Sequence, residues 1–237
     1  MSLKGAVTRA GIVALLTALT ASQAHAGVIL SEEFNNVAAL AGAGWAIINN
    51  STPVGGTSWF QGNPGVFPAQ AGAANSYVAA NFLNASGFGD ISNWLITPQL
   101  LLENSAQITF YTRTAVSPSA FPDRLEVRLS ASGASTNVGG TTTSVGDFTT
   151  LLLTVNPTLS TTGYPDVFTL FTITLSGLAP GGVNGRLAFR YAVSDTSVNA
   201  DYIGIDTLTV TSAVPEPATL TLMGIGLAGL TARRRRR

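Results

Sequence analysis

The strongest constraint on this chain is a period-two alternation that keeps returning. In Leu125-Glu126-Val127-Arg128-Leu129-Ser130 every second residue is aliphatic and the residues between are polar. Side chains of an extended strand point alternately to opposite faces, so this segment has one face for a core and one for solvent. Gln107-Ile108-Thr109-Phe110-Tyr111-Thr112-Arg113 and Arg186-Leu187-Ala188-Phe189-Arg190-Tyr191 repeat the design. Further runs with strand character are Val28 to Phe34, Trp45 to Asn49, Thr57 to Gln61, Tyr77 to Phe82, Trp94 to Leu102, Phe148 to Val155, Phe168 to Leu175 and Tyr202 to Val210. The last run carries a parity fault, because Asp206 falls in step with Leu208 and Val210. Short strands separated by Gly, Ser, Thr and Asn, with no amphipathic helix among them, predict an all-β sandwich over residues 27–212. Residues 115–122 and 132–146 read as long, low-complexity loops. A body of this size buries about 70% of its unfolded surface and is stable without the disulfides that a Cys-free chain cannot form.

Charge is distributed by segment. The chain has 12 basic and 12 acidic residues, yet five of the arginines are the terminal run Arg233, Arg234, Arg235, Arg236 and Arg237. Residues 27–214 keep five arginines (113, 124, 128, 186 and 190) against eleven carboxylates, a net charge of about −6. That body contains no His, Lys, Cys or Met. An acidic body has no basic stripe for phosphates, so nucleic acid is not an expected partner.

Both ends read as addresses. Lys4 and Arg9 precede an apolar stretch from Ala10 to Ala21, and Ala24-His25-Ala26 places small residues where a signal peptidase reads. Residues 1–26 are therefore expected to be a secretory signal peptide cleaved after Ala26. At the other end Val214-Pro215-Glu216-Pro217 precedes an uncharged stretch, Ala218 to Ala232, and then the Arg tail. As a short transmembrane helix, residues 218–232 span only about 22 Å, less than the ~30 Å hydrocarbon core. The Arg cluster orients such a segment with its tail in the cytoplasm, leaving the body outside.

This order of Pro-Glu-Pro, apolar segment and basic tail over residues 213–237 resembles the PEP-CTERM sorting signal. The resemblance implies an exosortase as processing partner, transient residence in the inner membrane, and a surface or extracellular destination, with cargo typical of exopolysaccharide, biofilm or floc. A second resemblance rests on Glu33-Phe34, Gly44-Trp45-Ala46-Ile47-Ile48-Asn49-Asn50, Trp59-Phe60-Gln61-Gly62, Asn93-Trp94-Leu95-Ile96-Thr97-Pro98, Arg124-Leu125-Glu126-Val127 and Asp201-Tyr202-Ile203-Gly204-Ile205-Asp206. Together they look like a choice-of-anchor J domain, similar to cleaved-adhesin and MAM-like domains. That likeness implies a jelly-roll-like two-sheet sandwich and a role in adhesion or polysaccharide contact.

The residue types left in the body limit its chemistry. Without His, Cys or Lys there is no Ser-His-Asp or Cys-His arrangement, no Schiff-base lysine and no His/Cys zinc site. A carboxylate pair acting on a glycosidic bond is still open. Glu126 and Arg128 read as a solvated strand face. A hard cation needs only oxygens, and the loop from Ser194 to Asp201 is rich in them, so Asp195 and Asp201 are candidate calcium ligands. The jelly-roll resemblance adds Glu33 and Asp206 as a pair brought together by the terminal strands around a structural calcium; alternatively Asp206 is a hydrogen-bonded strand-end acid. For carbohydrate, Trp59 and Tyr77 border loops, as do Phe121 and Tyr164, while Trp45 and Trp94 lie in apolar runs and read as core. Trp59 either meets a glycan or closes the core. The expectation is an exported, non-catalytic surface or matrix protein that contacts exopolysaccharide. A lectin-like module with a defined sugar and an Asp/Glu glycosidase are the competing readings.

Overall fold

A computed structural model describes residues 26–212. The signal peptide with Ala24, the Pro-Glu-Pro motif, the apolar segment 218–232 and the Arg tail lie outside the described residues. Among the described residues no helix is long and apolar enough to cross a membrane.

The described chain folds as two antiparallel sheets. The strands are β1 (Val28–Glu32), β2 (Ala46–Asn49), β3 (Thr52–Val54), β4 (Phe60–Gln61), β5 (Val78–Asn81), β6 (Ala85–Ile96), β7 (Leu100–Leu102), β8 (Gln107–Thr114), β9 (Leu125–Ser130), β10 (Thr150–Val155), β11 (Thr169–Thr174), β12 (Val183–Val193) and β13 (Tyr202–Thr211). Short 3-10 helices occupy Val37–Ala43 and Phe82–Asn84. One sheet runs β11-β8-β13-β5-β4, with β1 also on β13; the other runs β10-β9-β12-β6-β2, with β3 on β6 and β7 on β12. β1 lies beside residues 208–211 of β13 and β5 beside residues 202–205, so β1 and β5 divide the length of that strand. The pairing of β1 with β13 brings the two ends of the described chain together, where Ser212 donates its amide to the Gly27 carbonyl at 2.7 Å.

Each alternating run found in the sequence is a strand, and the alternation sets the core. Leu125, Val127 and Leu129 of β9 face Leu187, Phe189 and Tyr191 of β12 within one buried cluster, with Ile108 and Phe110 of β8 opposite. The parity fault in β13 has a structural cause. Asp206 pairs with Tyr111 and Thr209 with Thr109, three steps on one strand against two on the other. That extra residue is a β-bulge, and Thr207 takes φ 49° to make it. Asp206 therefore points to the outer face, while Leu208 and Val210 return to the core.

Antiparallel sheets commonly leave one face to solvent; here the outer faces are covered as well. On the sheet of β6 and β12, residues 132–149 lay Val138, Val145 and Phe148 over Trp94, Ile96 and Ala188. On the other sheet, residues 62–76 lay Phe67 over Tyr77, Ala79 and Tyr202. Gly204 makes this close approach possible, since a Cβ there would come within 2.9 Å of both Phe67 and Tyr77.

This cover overturns one expectation. Glu126 and Arg128 do not form a solvated face; their side chains are 13% and 12% exposed. Glu126 pairs with Arg128 at 2.8 Å and with Arg190 at 3.0 Å, and the Arg190 guanidinium lies 5.0 Å from the Trp94 ring centre. Burial works to raise the Glu126 carboxyl, and the two guanidiniums overcome it and hold it below its ordinary value.

Candidate functional site

The covered sheets leave concave places among the described residues, and three of them have linings that bear on binding. The first is a lateral groove of about 630 Å³ between the edge strands β2 and β4, lined by Val37, Ala41, Trp45, Ile47, Trp59 and Gln61. Trp59 forms part of its wall, but at 4% exposure it leaves too little ring for a sugar to stack on. Its indole N–H donates to the Asn93 carbonyl at 3.3 Å. Of the two roles open to it, Trp59 takes that of closing the core. Tyr77 is fully buried, stacked on Phe67 at 5.0 Å, and donates its hydroxyl to the Asn63 carbonyl at 2.8 Å. Burial raises its phenol well above the ordinary value. Tyr77 thus pins the 62–76 cover and is not presented to a ligand.

The exposed aromatics are elsewhere. Phe82, Phe88 and Phe121 are 47%, 82% and 45% exposed and surround a groove of about 470 Å³ at one end of the sandwich. Gly87, Thr196, Ser197, Ala200 and Asp201 complete its lining. Phe121 was legible as a loop aromatic; Phe82 was read as the end of a strand and Phe88 drew no attention. A cluster of exposed rings beside hydroxyls and a carboxylate has the composition of a ligand site.

The third place, adjoining this groove across the 194–200 loop, is a polar cleft of about 220 Å³ lined by Asp90, Arg124, Thr142, Thr143, Arg190 and Ser194. The loop is anchored between them: Asp90 accepts the Asp195 amide at 2.9 Å, and Thr196 donates its hydroxyl to the Gly87 carbonyl at 3.1 Å.

The candidate cation ligands fall into two separate places. Asp195 is exposed and accepts from the Ser197 amide and hydroxyl, which lower its carboxyl. Asp201 is partly buried in the aromatic groove, and burial raises it. Glu33 and Asp206 do meet. The Thr207 hydroxyl lies 3.1 Å from Glu33 Oε2, 3.0 Å from Gln70 Oε1 and 3.4 Å from Asp206 Oδ1. One hydroxyl has one proton, so three acceptors around it leave oxygen lone pairs in excess. Asp206 is buried and accepts the amides of Gln70, Ala71 and Thr207; burial raises its carboxyl against those bonds, and Glu33 adds to the rise. Among the described residues no three His, Cys, Asp or Glu side chains converge.

One buried acid was missed by the sequence reading. Asp123 is fully buried and accepts from the Thr114 hydroxyl at 2.6 Å, the Tyr191 hydroxyl and the Asp201 amide at 2.8 Å. It ties the loop that carries Phe121 and Arg124 to β8, β12 and the start of β13.

Residues 213–237 match the PEP-CTERM protein-sorting motif. The motif indicates export and sorting to the cell surface. No curated protein matches the chain. Among solved structures the sandwich is similar to a cleaved adhesin domain of the Lys-gingipain of Porphyromonas gingivalis, at 26% identity and a TM-score of 0.53. The match covers 79% of this chain and 99% of that domain. A second cleaved adhesin domain of the same protein matches at 20% identity and a TM-score of 0.50, over 80% of this chain and 100% of that one. A third Lys-gingipain cleaved adhesin domain matches at 20% and 0.52, over 77% and 99%. These likenesses agree with the all-β sandwich and make its fold similar to that of cleaved adhesin domains.

The Asp123 environment has a measurable consequence. Burial pushes its carboxyl from 3.8 up to about 6. The folded form holds its proton more tightly than the unfolded chain, so this group's contribution is fully present below pH 3.8 and is lost as pH rises through about 6. Two units correspond to about 3 kcal/mol. Thermal melting of the exported protein is expected to show stability falling between pH 4 and 7, and Asp123→Asn is expected to flatten that fall. A wild-type profile that rises over this interval while the Asp123→Asn profile stays unchanged refutes the assignment.

Proposed function

We propose that this is an exosortase-processed surface or matrix protein whose sandwich binds exopolysaccharide or cell-surface glycan without catalysis. Two partners process it, a signal peptidase acting after Ala26 and an exosortase acting at Pro215-Glu216-Pro217. The observation that carries the binding role is the groove of Phe82, Phe88 and Phe121. Apolar C–H faces of pyranose rings pack on such side chains, and Ser197, Thr196 and Asp201 supply hydrogen-bonding groups at the rim. The likeness to the cleaved adhesin domains of Lys-gingipain supports the same role. Glycoside hydrolysis needs two carboxyl groups about 5 to 9.5 Å apart across the bond. Here the aromatic groove is lined by one acid, Asp201, the polar cleft by one, Asp90, and the lateral groove by none. That distribution favours binding over turnover.

A structural divalent cation such as calcium belongs to this reading. Glu33, Asp206, Gln70 and Thr207 would hold it, because the set is made of oxygen donors, as a hard cation requires, and because its acceptors outnumber its protons. The cation would neutralise two neighbouring carboxylates where β1 and β5 part along β13.

Three results test the proposal. Mass determination of the protein recovered from cells and medium is expected to give a product that starts at Gly27 and ends near Pro217; an intact terminus at Arg237 in the membrane fraction contradicts the sorting step. In affinity electrophoresis through gels containing exopolysaccharide, Phe88→Ala and Phe121→Ala are each expected to weaken retardation by roughly tenfold, a loss of about 1.4 kcal/mol. Unchanged migration of both variants removes the groove from consideration. Added calcium is expected to raise the melting temperature and chelator to lower it, with Glu33→Gln abolishing the difference; curves that coincide in all conditions dismiss the cation.

A further inference from the structure

The structure assigns a second element of recognition next to the aromatic groove: the cleft beside it binds a carboxylate through Arg124, so that the preferred ligand is an acidic, uronate-bearing polysaccharide. This inference rests on the glycan-binding reading above and goes further, by fixing the charge class of the sugar.

The five arginines of the body have different partners. Arg113 donates its Nε to the Thr114 carbonyl at 3.1 Å and lies over Phe67 at 4.3 Å, and Arg186 donates to the carbonyls of Gly44 and Thr97. Arg190 is engaged at all three nitrogens: Nε donates to Ser92 Oγ, Nη1 to Glu126 and Nη2 to the Thr142 carbonyl. Arg128 takes the same Glu126 carboxylate. Arg124, like Arg113, is hydrogen-bonded through its Nε alone, to the Ala192 carbonyl at 2.7 Å, but it lines the polar cleft, and its four terminal N–H groups have no protein partner among the described residues. Fixing Nε leaves the outer edge of a planar fork free, which suits a carboxylate in a two-point contact.

The surrounding charge favours an anion at this place and at few others. Two of the five arginines, Arg124 and Arg190, line the cleft in a body that is otherwise acidic, and Arg190 shares the Glu126 carboxylate with Arg128. Asp90 is the one acid lining the cleft, and it is occupied in part by the Asp195 amide. Thr142, Thr143 and Ser194 add hydroxyl groups suited to sugar hydroxyls. The low, partly enclosed cleft focuses the field of the arginines. Since the cleft and the aromatic groove flank the same 194–200 loop, a polysaccharide crossing this end can set a ring face on Phe88 or Phe121 and a carboxylate on Arg124.

The test compares one glycan backbone with and without its charge. The exported protein is titrated calorimetrically with polygalacturonate and with the same polymer fully methyl-esterified. Binding to the acid form is expected to be about tenfold tighter, and the difference is expected to shrink as salt is added. Arg124→Gln is expected to lower acid binding to the ester level and leave ester binding unchanged, and Arg124→Lys to restore only part of it. Thr143→Glu, at an exposed position that adds a repelling charge to the cleft, is expected to remove the preference even if Arg124→Gln does not fold. Equal binding of acid and ester, or an acid preference that survives both Arg124→Gln and Thr143→Glu, overturns this inference while leaving the glycan reading intact. Binding to neither polymer, nor to the exopolysaccharide gel, overturns both. An equal response to an acidic polypeptide such as polyglutamate overturns the assignment of the cleft to a sugar.

Discussion

The architecture depends on one inserted residue in β13. This strand is central in its sheet and pairs with β8 on one side and with β1 and β5 in succession on the other. A strict alternation through Asp206 would put either that carboxylate or Leu208 and Val210 on the wrong face, and a one-residue slip reverses every later side chain. The bulge settles the conflict locally. A threonine with positive φ is uncommon and carries strain of order 1–3 kcal/mol, which the buried Leu208 and Val210 offset. The same bulge sends Asp206 outward beneath residues 70 and 71, where backbone amides meet it, and aligns it with Glu33 where β1 ends.

Covering both faces of both sheets has a consequence for function. A sandwich with an open outer face can bind ligands on the flat of its sheet. Here Phe148 with Val138 closes one such face, and Phe67 stacked on Tyr77 closes the other. What stays available is the periphery: the seam between edge strands and the loop end. The seam is walled by Trp59 and Trp45 and offers one exposed aliphatic, Ile47, whereas the loop end offers three exposed phenylalanines and an uncommitted guanidinium. The covers therefore leave the exposed rings and the open cleft at one end of the sandwich.

The strands were legible because period two is a backbone property that survives in sequence. Leu125 to Ser130 is a strand with the same bounds in the structure, and even the flaw at Asp206 was visible as a parity fault. What covers a strand was not legible, because it depends on distant chain. Glu126 and Arg128 read as solvated since nothing adjacent shows that residues 132–149 return across them; the signal available was Val138, Val145 and Phe148 spaced through an otherwise polar stretch. Tyr77 reads as a loop-edge residue for the same reason, and between its two open roles Trp59 could not be decided from sequence. Asp123 sits after Pro122 in a loop, and its partners Tyr191 and Asp201 are far along the chain. The exposed phenylalanines are only partly legible: Phe82 ends the strand-like run Tyr77 to Phe82 and reads as core, whereas Phe88 stands between Gly87 and Gly89 in a polar stretch that carried the signal.

The residue types missing from the body also explain its electrostatics. Without lysine, every cation in residues 27–212 is a guanidinium, and a guanidinium can donate to several carbonyls or lie on a ring while keeping its charge. Arg186 joins the carbonyls of Gly44 and Thr97, Arg113 covers Phe67, and Arg190 joins Glu126, Ser92 and Thr142 while lying on Trp94. Four of the five arginines act as internal braces. The outer surface is thereby left to carboxylates and hydroxyls, which keeps copies of an exported protein apart by like charge. In that setting a guanidinium in an open cleft, with its terminal N–H groups unpaired among the described residues, stands apart from the braces. Arg124 holds its place because the Ala192 carbonyl accepts its Nε, the Ala192 amide donates to its backbone carbonyl at 3.2 Å, and the buried Asp123 beside it is fixed.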